Sequence, residues 1–122
     1  MSAFENLIAG LRRHDESAIG PVEAGIVTVH GKAQAPLYLA NHEDRWLVLY
    51  HEFDAGPPCE PPDNVFGRHW PAHVLGRVDG LWVLWSQQPL AAVDADGLAS
   101  WLGEFAASVE HLRAAPGAAG WG

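Results

Sequence analysis

Seven histidines stand among 122 residues, and two of their settings use spacings familiar from metal chemistry. His69-Trp70-Pro71-Ala72-His73 separates two imidazoles by three residues, as zinc ligands on one helix face often are. Pro71 removes an amide and blocks a regular helix through that stretch. His51-Glu52 reads as half of the H-E-x-x-H metalloprotease signature, in which two histidines hold zinc and the glutamate is the general base. Alanine occupies position 55, where the second histidine belongs. A site assembled across strands would draw on His51, Glu52, His69 and His73. Satisfied or solvent-facing histidines explain them more simply, so neither a metal nor a cofactor is expected.

The nucleophiles fare no better. Cys59, the sole cysteine, lies between Pro58 and Glu60, and an acidic neighbour disfavours the thiolate that reactive cysteines need. Ser86 lacks a G-x-S-x-G setting. No phosphate-cradling glycine loop precedes a helix, since Gly76 and Gly80 belong to a hairpin. Trp82 and Trp85 fall on opposite faces of one strand, so they do not form a single stacking platform for sugars or bases. The residue types therefore point to a binding protein, not an enzyme.

Composition narrows the partner. Apolar residues make up 48% of the chain, which suits a globular domain with a proper core. Fifteen acidic residues against seven basic ones give a net charge of −8, and Lys32 is the only lysine. Such a surface repels phosphate backbones, which excludes nucleic acid as the natural partner. A lone cysteine fits a reducing compartment. Glu5, Asn6, Arg12 and Arg13 interrupt the N-terminal apolar stretch, so neither a signal peptide nor a membrane span is expected. The default location is cytoplasmic.

The elements that must position these residues are well punctuated. Ser2-Ala3-Phe4-Glu5 is a capping box, and Phe4, Leu7, Ile8 and Leu11 follow as one helical stripe that Gly20-Pro21 ends. Gly25 to His30, Pro36 to Ala40 and Arg45 to Phe53 read as a three-stranded antiparallel meander. The Pro-rich stretch from Ala55 to Pro62 is a loop, after which Asp63 caps a short helical turn holding Val65 and Phe66. His73 to Val78 and Leu81 to Ser86 form a hairpin about Asp79-Gly80. Asp94 and Asp96 open a last helix whose stripe is Leu98, Leu102, Phe105, Val109 and Leu112, with Trp101 beside it. The fold class is α+β in the order α-β-β-β-(α)-β-β-α, with a twisted antiparallel sheet and helices mainly on one face. Residues 1–115 form a single domain, and 116–122 a flexible C-terminal tail.

Two strands carry apolar residues on both faces. Trp46, Val48 and Tyr50 oppose Leu47, Leu49 and Phe53, and Leu81, Val83 and Trp85 oppose Trp82 and Leu84. Two helices cover one face of five strands. The other face calls for cover from outside the chain.

From Asn64 to Leu112 the sequence resembles the class I chaperones of bacterial type III secretion, the CesT-type family. The likeness is carried by Asn64-Val65-Phe66, the strand Val74 to Val78, Asp79-Gly80-Leu81-Trp82-Val83-Leu84-Trp85, Pro89-Leu90, Asp94, Leu98, Leu102 and Phe105. The first helix and the meander match in order and length. The Pro-rich loop departs from the family pattern, as do Arg68, His69 and Pro71 where an amphipathic second helix would stand. The resemblance implies a small, acidic, cytoplasmic bacterial homodimer without catalytic activity. It also implies binding of the N-terminal region of a secreted effector protein in extended form, to keep it soluble and secretion-competent. By position, it implies dimer contacts at Val65, Phe66, Trp70, Val74 and Leu75. Effector contacts would fall on Leu7, Leu11, Leu37, Leu39, Leu47 and Leu49. The alternative is another acidic binding module on the same fold, a toxin-neutralising immunity protein or a regulatory adaptor.

Overall fold

Local chemistry sets each element before packing does. In the computed structural model, which describes residues 2–14, 18–30, 36–53 and 71–114, helix α1 runs from Ala3 to Arg12. The Ser2 hydroxyl accepts from the Glu5 amide at 3.1 Å, and the Glu5 carboxylate accepts from the Ser2 amide at 3.3 Å. That amide and then the Ser2 hydroxyl hold the Glu5 carboxyl below its ordinary range. The capping box is therefore formed in full.

Strands β1 (Ile19–Glu23), β2 (Ile26–His30), β3 (Pro36–His42), β4 (Trp46–Phe53), β5 (Val74–Val78) and β6 (Leu81–Pro89) follow. A 3-10 turn at Leu90–Ala92 leads into helix α2 (Ala95–Ala114). The strands form one antiparallel sheet in the order β1-β2-β3-β4-β6-β5. The α+β class and the antiparallel sheet are as the sequence indicated, and Asp79-Gly80 makes the β5–β6 hairpin with φ 50° and 85°. The short turn about Val65 and Phe66, Trp70, and the tail 116–122 lie outside the described residues.

One strand was not foreseen. Gly20-Pro21 does not simply close the helical region; it lies inside β1, where the register with β2 shifts between Ile19 and Val22. A bulged edge strand is the setting in which a sheet tolerates proline. The Arg12 guanidinium donates to the Gly20 carbonyl at 2.9 Å, which ties this strand to the end of α1.

Both helices lie on one face. Leu47, Leu49 and Phe53 of β4 join Val27, Val29, Leu37, Leu39, Leu75 and Leu84 in a continuous buried cluster with both helix stripes. The helices approach closely, since a Cβ at Gly10 would come within 2.8 Å of the Ala95 Cβ. A buried hydrogen bond also joins α2 to the sheet within this layer. The Trp101 indole donates from Nε1 to the Ser86 hydroxyl at 3.0 Å, and both residues are buried. Ser86→Ala should leave that indole N–H without its acceptor and cost roughly 1–3 kcal/mol. Urea titration checks this, with an unchanged midpoint as the contrary result.

Candidate protein-binding surface

Strand alternation sends the remaining side chains to the face that carries neither helix. Register aligns them in rows across the sheet. Thr28, Tyr38, Tyr50, Trp85 and Val74 are successive cross-strand neighbours, running from β2 to β5. Ile26, Ala40, Val48 and Gln87 form the adjacent row. Trp46 and Leu81 are each 39% exposed and Val78 50%, large apolar groups left partly in water at two ends of this face. The other row members are half-buried, except Gln87, which is exposed. His42 and Glu52, both exposed, rim this apolar surface, which is the candidate contact site.

The aromatic groups are held in place by their neighbours. Tyr38 and Tyr50 stack with ring centroids 5.1 Å apart and planes inclined at 29°. The Trp85 ring lies over Gly76, where an added Cβ would sit 3.1 Å from Cη2 and Cζ3. Glycine in the edge strand is thus the seat of the indole. A rigid aromatic row of this kind presents contact area at low conformational-entropy cost.

Burial raises the Tyr50 phenol above its ordinary value, with further contributions from the Glu52 carboxylate and from Tyr38. The folded state therefore favours neutral Tyr50. That stability is fully present below the unfolded phenol pKa of about 10 and is lost as pH rises through the higher folded value. Tyr50→Phe should accordingly flatten the alkaline end of the stability–pH curve. Thermal melts between neutral and strongly alkaline pH test this, and parallel curves for the two proteins would contradict it.

The residues singled out from sequence separate into three groups. Leu37 (2% exposed), Leu39, Leu47 and Leu49 (each 0%) lie in the core beneath the helices, and Leu11 (3%) packs there from α1. Leu7, at 8%, is also buried but lines a groove between α1 and the link from β6 to α2. Of the dimer candidates, Val74 lies on the uncovered face opposite Trp85, whereas Leu75 belongs to the core cluster. Val65, Phe66 and Trp70 lie outside the described residues. Tyr38, Ile26 and Thr28 were missed as surface members. The alternation of Tyr38 and Ala40 with Leu37 and Leu39 was their signal.

Of the histidines singled out from sequence, His51 and His73 have structural settings, and His69 lies outside the described residues. His51 Nδ1 donates to the Pro36 carbonyl at 2.9 Å, and the ring meets Phe53 edge-on. His73 Nδ1 shares a 2.7 Å hydrogen bond with the Ser108 hydroxyl, against the edge of Phe105. Among the described residues, no group of three or more His, Cys, Asp or Glu is arranged to hold a metal ion.

Comparisons with known proteins agree with a binding role. The family model described as Tir chaperone protein (CesT) matches residues 23–113. The chaperone protein SycT of Yersinia enterocolitica is 39% identical over 91 residues, covering 75% of this chain and 68% of SycT. SycT of Yersinia pestis is 44% identical over 75 residues, 62% of this chain and 55% of that protein. Among solved structures, a chain of the ExoT–SpcS complex from Pseudomonas aeruginosa superposes with a TM-score of 0.76 at 22% identity, over 91% of this chain and 97% of that one. A chain from the complex of the Yersinia pestis type III secretion chaperone SycH with a YscM2 fragment gives 0.68 at 20% identity, over 91% and 99%. At those identities the two structures speak for the fold.

Proposed function

The chain belongs to the Tir chaperone protein (CesT) family and is a non-enzymatic, chaperone-like protein; from that premise we propose that it works as a cytoplasmic homodimer. Its cargo is the N-terminal region of one secreted effector protein, kept extended, soluble and competent for secretion. The observation that carries this reading is the apolar sheet face that neither helix covers among the described residues. Side chains the size of Trp85, Tyr50 and Val78 each gain about 1.5–3 kcal/mol on full burial, so a face of them favours association. The acidic surface keeps the assembly soluble while that face is occupied.

A division of labour follows from where the exposure lies. The β5–β6 side, with Val74, Val78, Leu81 and Trp85, is contiguous and rigid, which suits a self-complementary contact between two copies. An extended guest gains affinity through main-chain pairing and pockets for alternate side chains. Ordering such a guest costs free energy, so several contact areas are needed along its length.

The experiment is co-expression with the protein encoded by the neighbouring reading frame, followed by limited proteolysis and light scattering. A soluble complex with two copies of this chain, protecting only an N-terminal stretch of the guest, is the expected result. Protection of a folded toxin domain would overturn the reading in favour of an immunity protein. For the dimer, Val74→Asp places a charge in the proposed contact without touching the helix-covered core. It should halve the mass measured by light scattering while leaving the far-ultraviolet circular dichroism unchanged; a wild-type-sized particle would move the contact elsewhere.

A further inference from the structure

Strand β1 is held to the sheet by fewer aligned pairs than any other described strand. Only Ile19, Val22 and Glu23 have partners on β2, because the register shifts between Ile19 and Val22. Pro21 has no amide to donate, and Pro21, Val22 and Glu23 are exposed. The turn into β2 places Ala24 at φ 52°, a left-handed conformation that favours glycine. Two contacts oppose release: Ile19 packs on the core cluster, and the Arg12 guanidinium donates to the Gly20 carbonyl at 2.9 Å. The strand that β1 covers is regular. β2 pairs with β3 without a shift from Ile26 opposite Ala40 to His30 opposite Pro36, and it contains neither proline nor lysine. The Asn41 amide donates to the Gly25 carbonyl at 2.9 Å, so alternation directs the backbone groups of Val27 and Val29 to β3 and those of Ile26 and Thr28 to β1.

We propose that β1 is a detachable cover strand, retained by Arg12, whose departure frees the β2 edge for an extended segment of the guest. Once bare, the backbone groups of Ile26 and Thr28 form a template for strand addition. Val27 and Val29 belong to the core cluster while Ile26 and Thr28 lie on the outer face, so an incoming strand with apolar residues on both sides continues both layers. A guest strand with an amide at every position and no bulge pairs with β2 more completely than β1 does. At rest, β1 denies that edge to other chains. The guest half of this inference rests on the chaperone reading above, whereas the release of β1 does not.

Amide hydrogen exchange on the full chain, read by NMR, tests the release. Relative to their intrinsic rates, the amides of Ile26 and Thr28 should exchange about ten-fold or more faster than those of Val27 and Val29, since β1 opens without global unfolding. Arg12→Ala should quicken the first pair by about three- to ten-fold, the effect of one lost hydrogen bond, and leave the second pair unchanged. Arg13→Ala is the control and should move neither. Ala24→Gly, which relieves the positive φ, should slow the first pair. Equal rates for the four wild-type amides, or no response to Arg12→Ala, would overturn the detachable strand. For the guest, Val22→Cys with Val27→Cys in a Cys59→Ser background joins β1 to β2 at partnered positions, with the reduced protein as its own control. Oxidation should weaken the co-expressed complex about ten-fold or more, because the competent state is withheld. An oxidised protein that holds its guest as the reduced one does would overturn strand exchange and leave the chaperone reading standing. If the cysteine pair does not fold, Arg12→Ala and Ala24→Gly must shift guest affinity in opposite directions, and unchanged affinity in both would overturn strand exchange equally. No complex with the wild-type chain would overturn the chaperone reading and the guest's place on β2, while the exchange rates still decide whether β1 detaches.

Discussion

The pairing of β4 with β6 is the constraint on which the rest of the molecule depends. Eight residue pairs, from Trp46 opposite Pro89 to Phe53 opposite Trp82, lie at the middle of the sheet. This register puts Leu47, Leu49, His51 and Phe53 on the same side as Ser86, Leu84 and Trp82. A slip of one residue would send that entire set to the opposite face and present Tyr50 and Val48 to the helices. The Ser86–Trp101 hydrogen bond and the His73–Ser108 hydrogen bond reinforce the choice, because each joins the inner face to α2 at a buried position. Polar partners of this kind cost more to misplace than apolar ones.

Once the inner face is chosen, the outer face is a consequence. Its residues cannot be replaced by polar ones at no loss, since they are also the cross-strand pairs that stabilise the sheet: Tyr38 with Tyr50, Tyr50 with Trp85, Trp85 with Val74. The same side chains therefore stabilise the sheet and make up its apolar outer face. Half-exposed aromatic rows are thus a by-product of the same pairing that builds the core.

Much of this was legible before any coordinates. The apolar residues at both Trp46-Val48-Tyr50 and Leu47-Leu49-Phe53 implied a sheet needing cover on two sides, and α1 and α2 follow stripes with clear period. What sequence could not assign was which of two apolar faces meets the helices. The sequence pattern offers Leu39, Leu47 and Leu49 as contacts for a guest, whereas the fold encloses them fully. Aliphatic side chains pack a helix–sheet layer closely, while aromatic ones with a polar tip, such as Tyr38 and Tyr50, suit a half-wet face. That physical difference held the answer, but alternation alone gives both faces equal weight. Strand β1 escaped notice because Gly20-Pro21 is a turn signal everywhere except in a bulged edge strand.

The two edges of the sheet differ in how they are protected. At one edge, β1 carries a bulge and a proline and has its Gly20 carbonyl bound by Arg12. Each of these features discourages another strand from adding there. At the other edge, β5 has neither proline nor an internal lysine, and Gly76 lets the Trp85 ring reach across to it. The apolar ground of the outer face is thus continuous with the less protected edge and ends against the blunted one. Among the described residues no further strand pairs with β5, so the sheet has one blunted edge and one with fewer such devices, although it is antiparallel throughout.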